Sequence, residues 1–387
     1  MSSMGRIETV ADSRAAPRAS LGAAPAAEVR ARARPARLAI AELAGEWDDL
    51  AARAAEPNPF HERWFVGASL AHLAGEREIR LIEVRRGARL IGLLPLAIEQ
   101  GYAHLPVRFV QNWFHDHAFL GTPLVAAGEE AAFWNATFEL LDEADWAPAF
   151  LHLRGIAEEG PVFRALRRGA VVHRRLRALL DARLSPDAYF EQAVRGKKRK
   201  ELRRQRARLA ELGAVGFRRL ADPAELSAWC DDYVALERKG WKGRSGTGLA
   251  NDAAAEAFFR DAAAGAWAAG RLQFLRLDLD GHAIAMLANF LTPPGGYSFK
   301  TAFDEDYARF SPGVLLQIEN LRILEDPDIL WVDSCAMDHH AMIDSFWRER
   351  RSVVRVTVPL KGARRRATHA LCRGLERTSE LLKGRRL

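Results

Sequence analysis

Cysteines and long uncharged segments are both scarce in this sequence. No segment approaches the roughly 18 apolar residues that a helix needs to cross a membrane, which excludes an integral helical membrane protein. The three cysteines, Cys230, Cys335 and Cys372, are too few and too far apart for a disulfide framework or a four-cysteine zinc site. They indicate a reducing compartment. The first residues show no apolar core of a secretory signal, so we expect a cytoplasmic protein.

Metal-ligand spacings are lacking as well. His115-Asp116-His117 and His339-His340 resemble ligand pairs, but no further ligands follow at a recognised zinc spacing. We therefore expect no metal.

What is present is the composition of a globular protein. Apolar residues make up 49% and charged residues 28% of the 387 positions. At roughly 150 residues per domain, this length predicts two or three structural units with a sizeable core.

The formal net charge of +7 is concentrated in three segments. Residues 1–37 carry +4, residues 195–208 carry +8 and residues 361–387 carry +7, which leaves −12 for the remainder. Such segments are either solvated surface or contacts with polyanions such as nucleic acid or anionic lipid. Residues 1–37 contain few large apolar side chains and are expected to be a disordered basic extension, and residues 361–387 a basic C-terminal tail. Residues 195–208 have no interleaved aromatic residues, so sequence-specific DNA recognition is not expected.

One arrangement of elements occurs twice along the chain. Residues 79–98 and 272–290 each predict a hairpin, the first about Arg86-Gly87 and the second about Asp280-Gly281. Helices precede each hairpin, and a strand, a helix and a further strand follow it. These strands and helices are expected at 107–114, 129–142 and 149–153 in the first half, and at 297–303, 312–325 and 329–335 in the second half.

Two further elements complete the predicted organisation. A last strand is expected over 352–358, and a long basic helix over about 187–212 separates the two copies, with Ser185 as its cap. Two α/β modules in tandem are the simplest architecture.

The start of the second-half helix near residue 312 is a candidate binding site. Ser311 is suited to the N-cap and Pro312 to the first helical position, and Phe310 and Leu315 can form a hydrophobic staple. Gly313 keeps side-chain bulk away from the helix start. Free N–H groups and a positive dipole end at such a start favour a pyrophosphate. The alternative is an ordinary well-capped helix.

Two more segments carry candidate chemistry. Residues 237–249 are glycine-rich and hold Trp241 and Lys242, which suits either a ligand loop or a flexible surface linker. Asp333 ends an apolar strand and is either a general base or the cap of the next segment. Cys335 is expected to be a core thiol.

Taken together, these segments resemble a known family. Residues 181–360 resemble the GNAT-type acyltransferase domain of the CelD-like (cellulose-biosynthesis) group, which is related to the FemAB peptidyltransferases. Residues 38–180 resemble the degenerate N-terminal copy of the same family. The resemblance is carried by segments 190–209, 236–249, 277–285 and 300–316 and by the strand of Asp333.

The resemblance implies a fold and a reaction. The fold is of the α/β (α+β) class, with tandem GNAT-like modules that each have a mixed, mostly antiparallel sheet flanked by helices. The reaction moves an acyl group from acyl-CoA, such as acetyl-CoA, to an amine or hydroxyl, without a metal. The acceptor is a small molecule or an envelope polysaccharide or lipid precursor.

The resemblance also implies site residues. The cofactor-binding residues would be Arg309, Phe310, Ser311, Pro312, Gly313 and Val314. Asp333 or Glu237 would act as the base and Tyr307 as the acid. Substrate contacts would come from Trp241, Lys242, Thr247, Lys300 and Asp304. The corresponding loop of the first copy, residues 119–123, lacks a basic residue and is not expected to bind cofactor.

Two other functions remain open. A FemAB-type transferase would take its acyl group from charged tRNA and use residues 195–208 to bind the RNA backbone; this donor is less favoured, because no coiled-coil insertion is evident. A non-catalytic scaffold would use its basic segments, including residues 361–387, for peripheral contact with an anionic membrane.

Overall fold

The computed structural model describes residues 27–240, 248–338 and 340–384. In the first half, the strands are β1 (Val29–Pro35), β2 (Arg80–Arg86), β3 (Arg89–Tyr102), β4 (Leu105–Asn112), β5 (Leu124–Val125), β6 (Phe150–Ala157) and β7 (Ala170–Asp181). The helices there are α1 (Ala36–Glu42), α2 (Ala44–Ala52), α3 (Arg63–His72), α4 (Glu130–Glu143) and α5 (Pro161–Arg164).

The second half repeats this order. Its strands are β8 (Val215–Arg219), β9 (Leu272–Leu279), β10 (His282–Thr292), β11 (Gly295–Phe303), β12 (Trp331–Asp333) and β13 (Glu349–Pro359). Its helices are α6 (Pro186–Ala193), α7 (Gly196–Ala210), α8 (Leu226–Lys239), α9 (Ala253–Ala268), α10 (Pro312–Asn320), α11 (Ala341–Asp344) and α12 (Ala363–Gly384). None of the described helices is long and apolar enough to span a bilayer.

Both predicted hairpins are confirmed. Strands β2 and β3 are antiparallel and join at a turn in which Gly87 has φ +57°. Strands β9 and β10 join at Asp280 and Gly281, with φ of +50° and +79°. Two consecutive positive φ values match the twist of a tight hairpin, which is why Asp-Gly is such a strong signal.

All the described strands belong to one sheet in which the two halves exchange their last strands. The order is β1-β2-β3-β4-β6-β13-β7-β12-β11-β10-β9-β8, with β5 beside β3. Strand β7 follows the first half in sequence but pairs with β12 of the second half. Strand β13 follows the second half but pairs with β6 of the first half, and β7 and β13 pair with each other. The predicted boundary between residues 180 and 181 therefore falls at the end of a strand that completes the second half.

Helices cover both faces of the second-half sheet. Helices α8 and α9 pack on the face that includes Phe274 and Phe290, and α3 of the first half joins this cluster through Phe65. Helices α7 and α10 pack on the opposite face, on a cluster that includes Leu277 and Leu287. The two halves thus share a hydrophobic core as well as a sheet.

The expectation of disorder over residues 1–37 is wrong for its last part. Residues 29–35 form β1, which pairs with β2. Arg32 and Arg34 of this strand form ion pairs with the fully buried Glu83. These ion pairs hold the strand in the sheet, although it contains few large apolar side chains. Residues 1–26 lie outside the described residues.

The single basic helix predicted over 187–212 is two helices. The break falls at Val194, which is extended with ψ 122° and is buried in the core. The predicted cap is confirmed, because the Ser185 side chain accepts a hydrogen bond from the Ala188 amide. The basic C-terminal segment forms α12, whose Arg365 donates to the carbonyls of Asp142 and Ala144 at the end of α4.

Three buried histidines make the fold sensitive to acid. Burial lowers the pKa of His61 to about 4 and the pKa values of His115 and His152 to about 3. An unfolded histidine titrates near 6.5. Below that pH the unfolded chain takes up protons that the folded histidines do not, so acid favours unfolding.

We predict that the free energy of unfolding falls as the pH drops from about 6.5 to about 4. Each of these histidines contributes a slope of about 1.4 kcal/mol per pH unit in this window. His152→Gln removes one contribution, and urea titrations at several pH values measure the change. The matched control is His282→Gln, at an exposed position beside the hairpin turn. An unchanged slope in His152→Gln contradicts the prediction.

Candidate functional site

A gap opens between β11 and β12 in the middle of the sheet. The two strands are parallel and pair only from Gly295↔Trp331 to Tyr297↔Asp333. Beyond this point β11 continues to Phe303, whereas the Ser334 amide donates to the carbonyl of Ala178 in β7. The strands therefore diverge, and α10, which follows β11, begins beside the opening.

The first turn of α10 offers one free backbone amide. Ser311 occupies the N-cap position and Pro312 the first helical position, as predicted. The Ser311 carbonyl accepts from the amides of Val314 and Leu315, at 2.9 and 3.0 Å. The Ser311 amide itself donates to Ala308. The Gly313 amide has no acceptor among the described residues, although Gly313 itself is buried.

Ser311 differs from the expected cap in its backbone conformation. Its φ and ψ are 55° and 50°, and its side chain makes no capping hydrogen bond. A capping side chain normally requires an extended residue, and the left-handed region turns the hydroxyl away from the helix amides. Phe310 and Leu315 do lie in one cluster, as the predicted staple requires.

The surroundings of Gly313 are crowded on one side and basic on the other. A Cβ at Gly313 would lie 3.3 Å from Phe303 and 3.6 Å from the Met342 sulfur of α11. The basic helix α7 packs against the 3-10 turn Glu305–Phe310, and its Lys198 donates to Ser345 Oγ at 2.6 Å. Arg309 is exposed and stacks on Phe310, 4.7 Å from the ring centroid. Arg309 and the basic helix α7 therefore bring positive charge to one side of the helix start.

Asp333 is the most tightly held of the predicted catalytic residues. Its side chain is fully buried, and Oδ1 accepts from the Cys335 amide at 2.8 Å. Oδ2 lies 3.2 Å from Arg177 of β7 and 3.3 Å from Arg351 of β13. Two guanidinium groups therefore hold this carboxylate in place.

Glu237 is the second candidate base. It is buried near the end of α8, and its Oε2 accepts from the Leu249 amide at 2.5 Å. It lines a small cavity with Thr301 of β11 and with Glu305. The predicted contacts Trp241, Lys242 and Thr247 lie outside the described residues.

The other predicted residues do not converge on Asp333. Tyr307 packs in the cluster formed by α7, α10 and the strands they cover. Asp304 caps the following 3-10 turn through the Asp306 amide, and its other oxygen lies 3.2 Å from Lys239 Nζ. Lys300 of β11 is directed toward the centre of the molecule, with Nζ 6.0 Å from the ring centroid of Phe119.

Cys335 follows β12 directly. It is buried and has a left-handed φ of 53°. Burial, reinforced by Asp333, raises the pKa of its thiol well above the usual range. A thiol in this state is not a nucleophile at neutral pH.

A large cavity between the halves was not predicted from the sequence. Its volume is about 320 Å³, and its lining includes Arg154, Arg175, Arg177 and Arg355. These residues lie on β6, β7 and β13. The signal for such a cavity in the sequence was the presence of arginines within segments that form strands. The sequence alone does not show that these arginines lie together, because this depends on β7 and on the exchange of strands between the halves.

The corresponding gap in the first half is closed. Strands β4 and β6 also pair in parallel and then diverge. There the Asn112 side chain donates to the carbonyls of Gly121 and Arg154, and the Gly121 amide donates to Gly155. A Cβ at Gly121 would lie 2.0 Å from the Arg154 carbonyl oxygen. Only the second half therefore keeps an opening of this kind.

The comparisons with known proteins agree with this geometry. Residues 196–340 match the family model of the acetyltransferase (GNAT) domain. The chain has a tandem GNAT-like fold. A search of curated protein sequences gave no significant match. The fold class predicted from the sequence is thereby confirmed.

Several solved structures are similar in fold. FemX matches over 81% of this chain and 94% of its own, with a TM-score of 0.53 and 10% identity. L-PGS from Bacillus licheniformis matches over 85% and 96%, with a TM-score of 0.52 and 12% identity. The C-terminal domain of a protein described as a lysylphosphatidylglycerol synthetase, from Agrobacterium fabrum, matches over 87% and 96%, with a TM-score of 0.53 and 15% identity. At these identities the likeness concerns the fold alone.

Metal ligands are not grouped in the described part of the chain. No cluster of three or more histidine, cysteine, aspartate or glutamate side chains suited to a metal ion occurs there. The absence of a metal stays a prediction.

We predict that Asp333→Asn destabilises the protein. Asparagine keeps the volume and the acceptor for the Cys335 amide but leaves Arg177 and Arg351 without a counter-charge. Breaking a buried ion pair in this way costs about 3–5 kcal/mol, which urea denaturation measures. Asp49→Asn, at an exposed position, is the control and should change the free energy of unfolding by less than about 0.5 kcal/mol. Equal stabilities of the two variants would contradict this role for Asp333.

Proposed function

We propose that the second half of the chain transfers an acyl group from acyl-CoA to an amine or hydroxyl. The observation that carries the proposal is the opening between β11 and β12 beside the start of α10. A thioester placed in this opening has sheet backbone on both sides. The Gly313 amide and the positive end of the helix would be the partners of its diphosphate.

The residues at this opening fit such a donor. The Gly313 amide is unpaired, and a side chain there would press against Phe303. Arg309 adds an exposed guanidinium at the same place. Phe310, Ser311, Pro312 and Val314 set the shape of the turn. Acyl-CoA supplies an activated carbonyl when bound, and the chain supplies charge, shape and a base.

Glu237 is better suited than Asp333 to take the proton of the attacking amine. Asp333 is held by two arginines, so the loss of its charge would leave both unpaired. Glu237 adjoins a cavity at β11, and its Oε2 accepts from the Leu249 amide. We therefore assign the role of base to Glu237, which adjoins open space beside β11, in preference to the enclosed Asp333.

The finer assignments extend this proposal. Lys300 is directed toward the centre of the molecule and suits an anionic acceptor. Tyr307 as the acid, Asp304 as a substrate contact and membership of the CelD-like group stay predictions. So do a cytoplasmic location, an envelope precursor as acceptor, and residues 38–180 and 181–360 as the repeating units.

A donor carried by tRNA is the second candidate. Helix α7 supports it, because Lys197, Lys200 and Arg203 are exposed along one side of the helix. A polyanion bound there would release counterions, so its affinity would fall steeply with salt. The same basic side also suits the phosphates of CoA, because α7 packs against the turn before α10.

We predict that CoA binds and that Arg309→Gln weakens this binding about tenfold. A charge-assisted hydrogen bond to a phosphate contributes about 1.4 kcal/mol at a partly exposed position, which corresponds to that factor. Isothermal titration calorimetry with CoA measures the affinity. Arg167→Gln removes an exposed arginine elsewhere and should leave it unchanged. If CoA does not bind but tRNA binds with a steep salt dependence, the second candidate replaces the first.

We predict that Glu237→Gln lowers kcat roughly 100-fold without changing the affinity for CoA. Glutamine still accepts from the Leu249 amide, so the local fold is retained. Release of free CoA from acetyl-CoA, with amines and amino sugars as acceptors, measures kcat. Thermal unfolding of the variant is the control. Full activity in Glu237→Gln would remove the base assignment.

A further inference from the structure

The arginine-lined cavity lies where the two halves meet. One wall is the first-half loop that contains Phe114 and Phe119, and the opposite wall is the chain from Cys335 to Met337, just after β12. Strands β7 and β13, which the halves exchange, form its floor. The cavity is therefore built from both halves.

Two of the four arginines are already neutralised by the protein. Arg177 is in an ion pair with Asp333, at 3.2 Å, and Arg175 lies 3.5 Å from Asp338. Arg177 also donates to the Phe119 carbonyl at 2.7 Å, which holds the first-half wall in place.

The other two arginines form no ion pair with a carboxylate among the described residues. Among the described residues, no hydrogen bond or ion pair involves the guanidinium of Arg154 or of Arg355. Arg154 stacks on the Phe114 ring, 5.0 Å from its centroid. Both are half-buried, and burial together with the neighbouring arginines lowers the pKa of each. Asp116 and Glu99 near Arg154, and Glu376 near Arg355, offset this lowering only in part. Asp116 is the one acid that lines the cavity.

A second cavity continues the first past the same two arginines. Its volume is about 370 Å³, and Arg154 and Arg355 line it too. Glu376 of α12 lines it, but this carboxylate accepts from the Tyr102 hydroxyl and from Arg373. Arg154 and Arg355 thus line both spaces, which suits a charged group with a larger moiety attached.

Half-buried cations without counter-charges are costly unless a ligand supplies the charge. Guanidinium groups match the planar, bidentate geometry of carboxylate and phosphate oxygens. The cavity also borders the β11–β12 opening, because Phe119 and Cys335 line it and Lys300 lies over the Phe119 ring.

We propose that Arg154 and Arg355 bind the phosphate or carboxylate group of the acyl acceptor in this cavity. Anion binding depends only on the cavity, whereas the identification of that anion as the acceptor rests on the proposed function. This arrangement explains why the chain contains two copies of the module. The second copy holds the donor, and both copies together hold the acceptor.

Calorimetry on the full chain with inorganic phosphate, and separately with succinate, tests the proposal. We expect at least one of these anions to bind, and Arg154→Gln and Arg355→Gln each to weaken that anion about tenfold or more. Arg167→Gln makes the same charge change at an exposed site and should leave the affinity unchanged. Arg309→Gln leaves Arg154 and Arg355 in place, so anion binding at the cavity should persist in that variant. The stronger of the two anions identifies the acceptor's charged group.

Two results would overturn the proposal. One is that neither anion binds, and the other is equal affinity in Arg154→Gln, Arg355→Gln and Arg167→Gln. Thermal unfolding of the free variants guards against misfolding, because removal of an unpaired cation should not lower the melting temperature. If a glutamine variant does unfold, Arg355→Lys keeps the charge but loses the bidentate geometry and should still weaken binding. Loss of CoA binding with anion binding retained would reject the proposed donor and leave the cavity assignment standing.

Discussion

The ion triple of Asp333, Arg177 and Arg351 is the interaction on which the centre of the molecule depends. Each member comes from a different strand, and all three are almost completely shielded from water. Any one of these charges alone would destabilise the fold at this buried position. In the triple, the carboxylate offsets one of the two guanidinium charges, which leaves a net charge of +1. Because Arg177 also bonds to the loop of Phe119, the triple fixes one wall of the central cavity as well as the end of β12.

The exchange of β7 and β13 explains why this triple lies between the halves. Each exchanged strand brings one arginine to the carboxylate of Asp333 on β12. The same exchange extends the sheet without interruption and leaves the β11–β12 opening in its interior. The site is therefore supported by packed strands on both sides, and its geometry does not depend on a flexible domain interface.

Local patterns predicted the repeating elements, whereas contacts between distant residues could not be predicted. Asp280-Gly281 and Ser311-Pro312 mark their turn and helix start because backbone sterics act over a few residues. The left-handed Ser311 and the strand at 29–35 depend on neighbours far along the chain, as Arg34 and Glu83 show. Strand β7 has arginines at several positions and was not recognised, because their partners, such as Asp333, belong to the other half. The central cavity was missed for the same reason, because β7 forms part of its lining.

Arginines of the same sheet serve two opposite purposes. Arg177 and Arg351 are paired within the protein, so their charges contribute to a rigid centre. Arg154 and Arg355 are half-buried nearby and form no ion pair among the described residues, whereas Arg174 and Arg175 are each paired with a carboxylate. For stability alone, such cations would be paired with carboxylates or replaced by apolar residues. Their retention is explained if the missing counter-charge arrives with a ligand, which then binds where the donor's opening and both halves of the molecule meet.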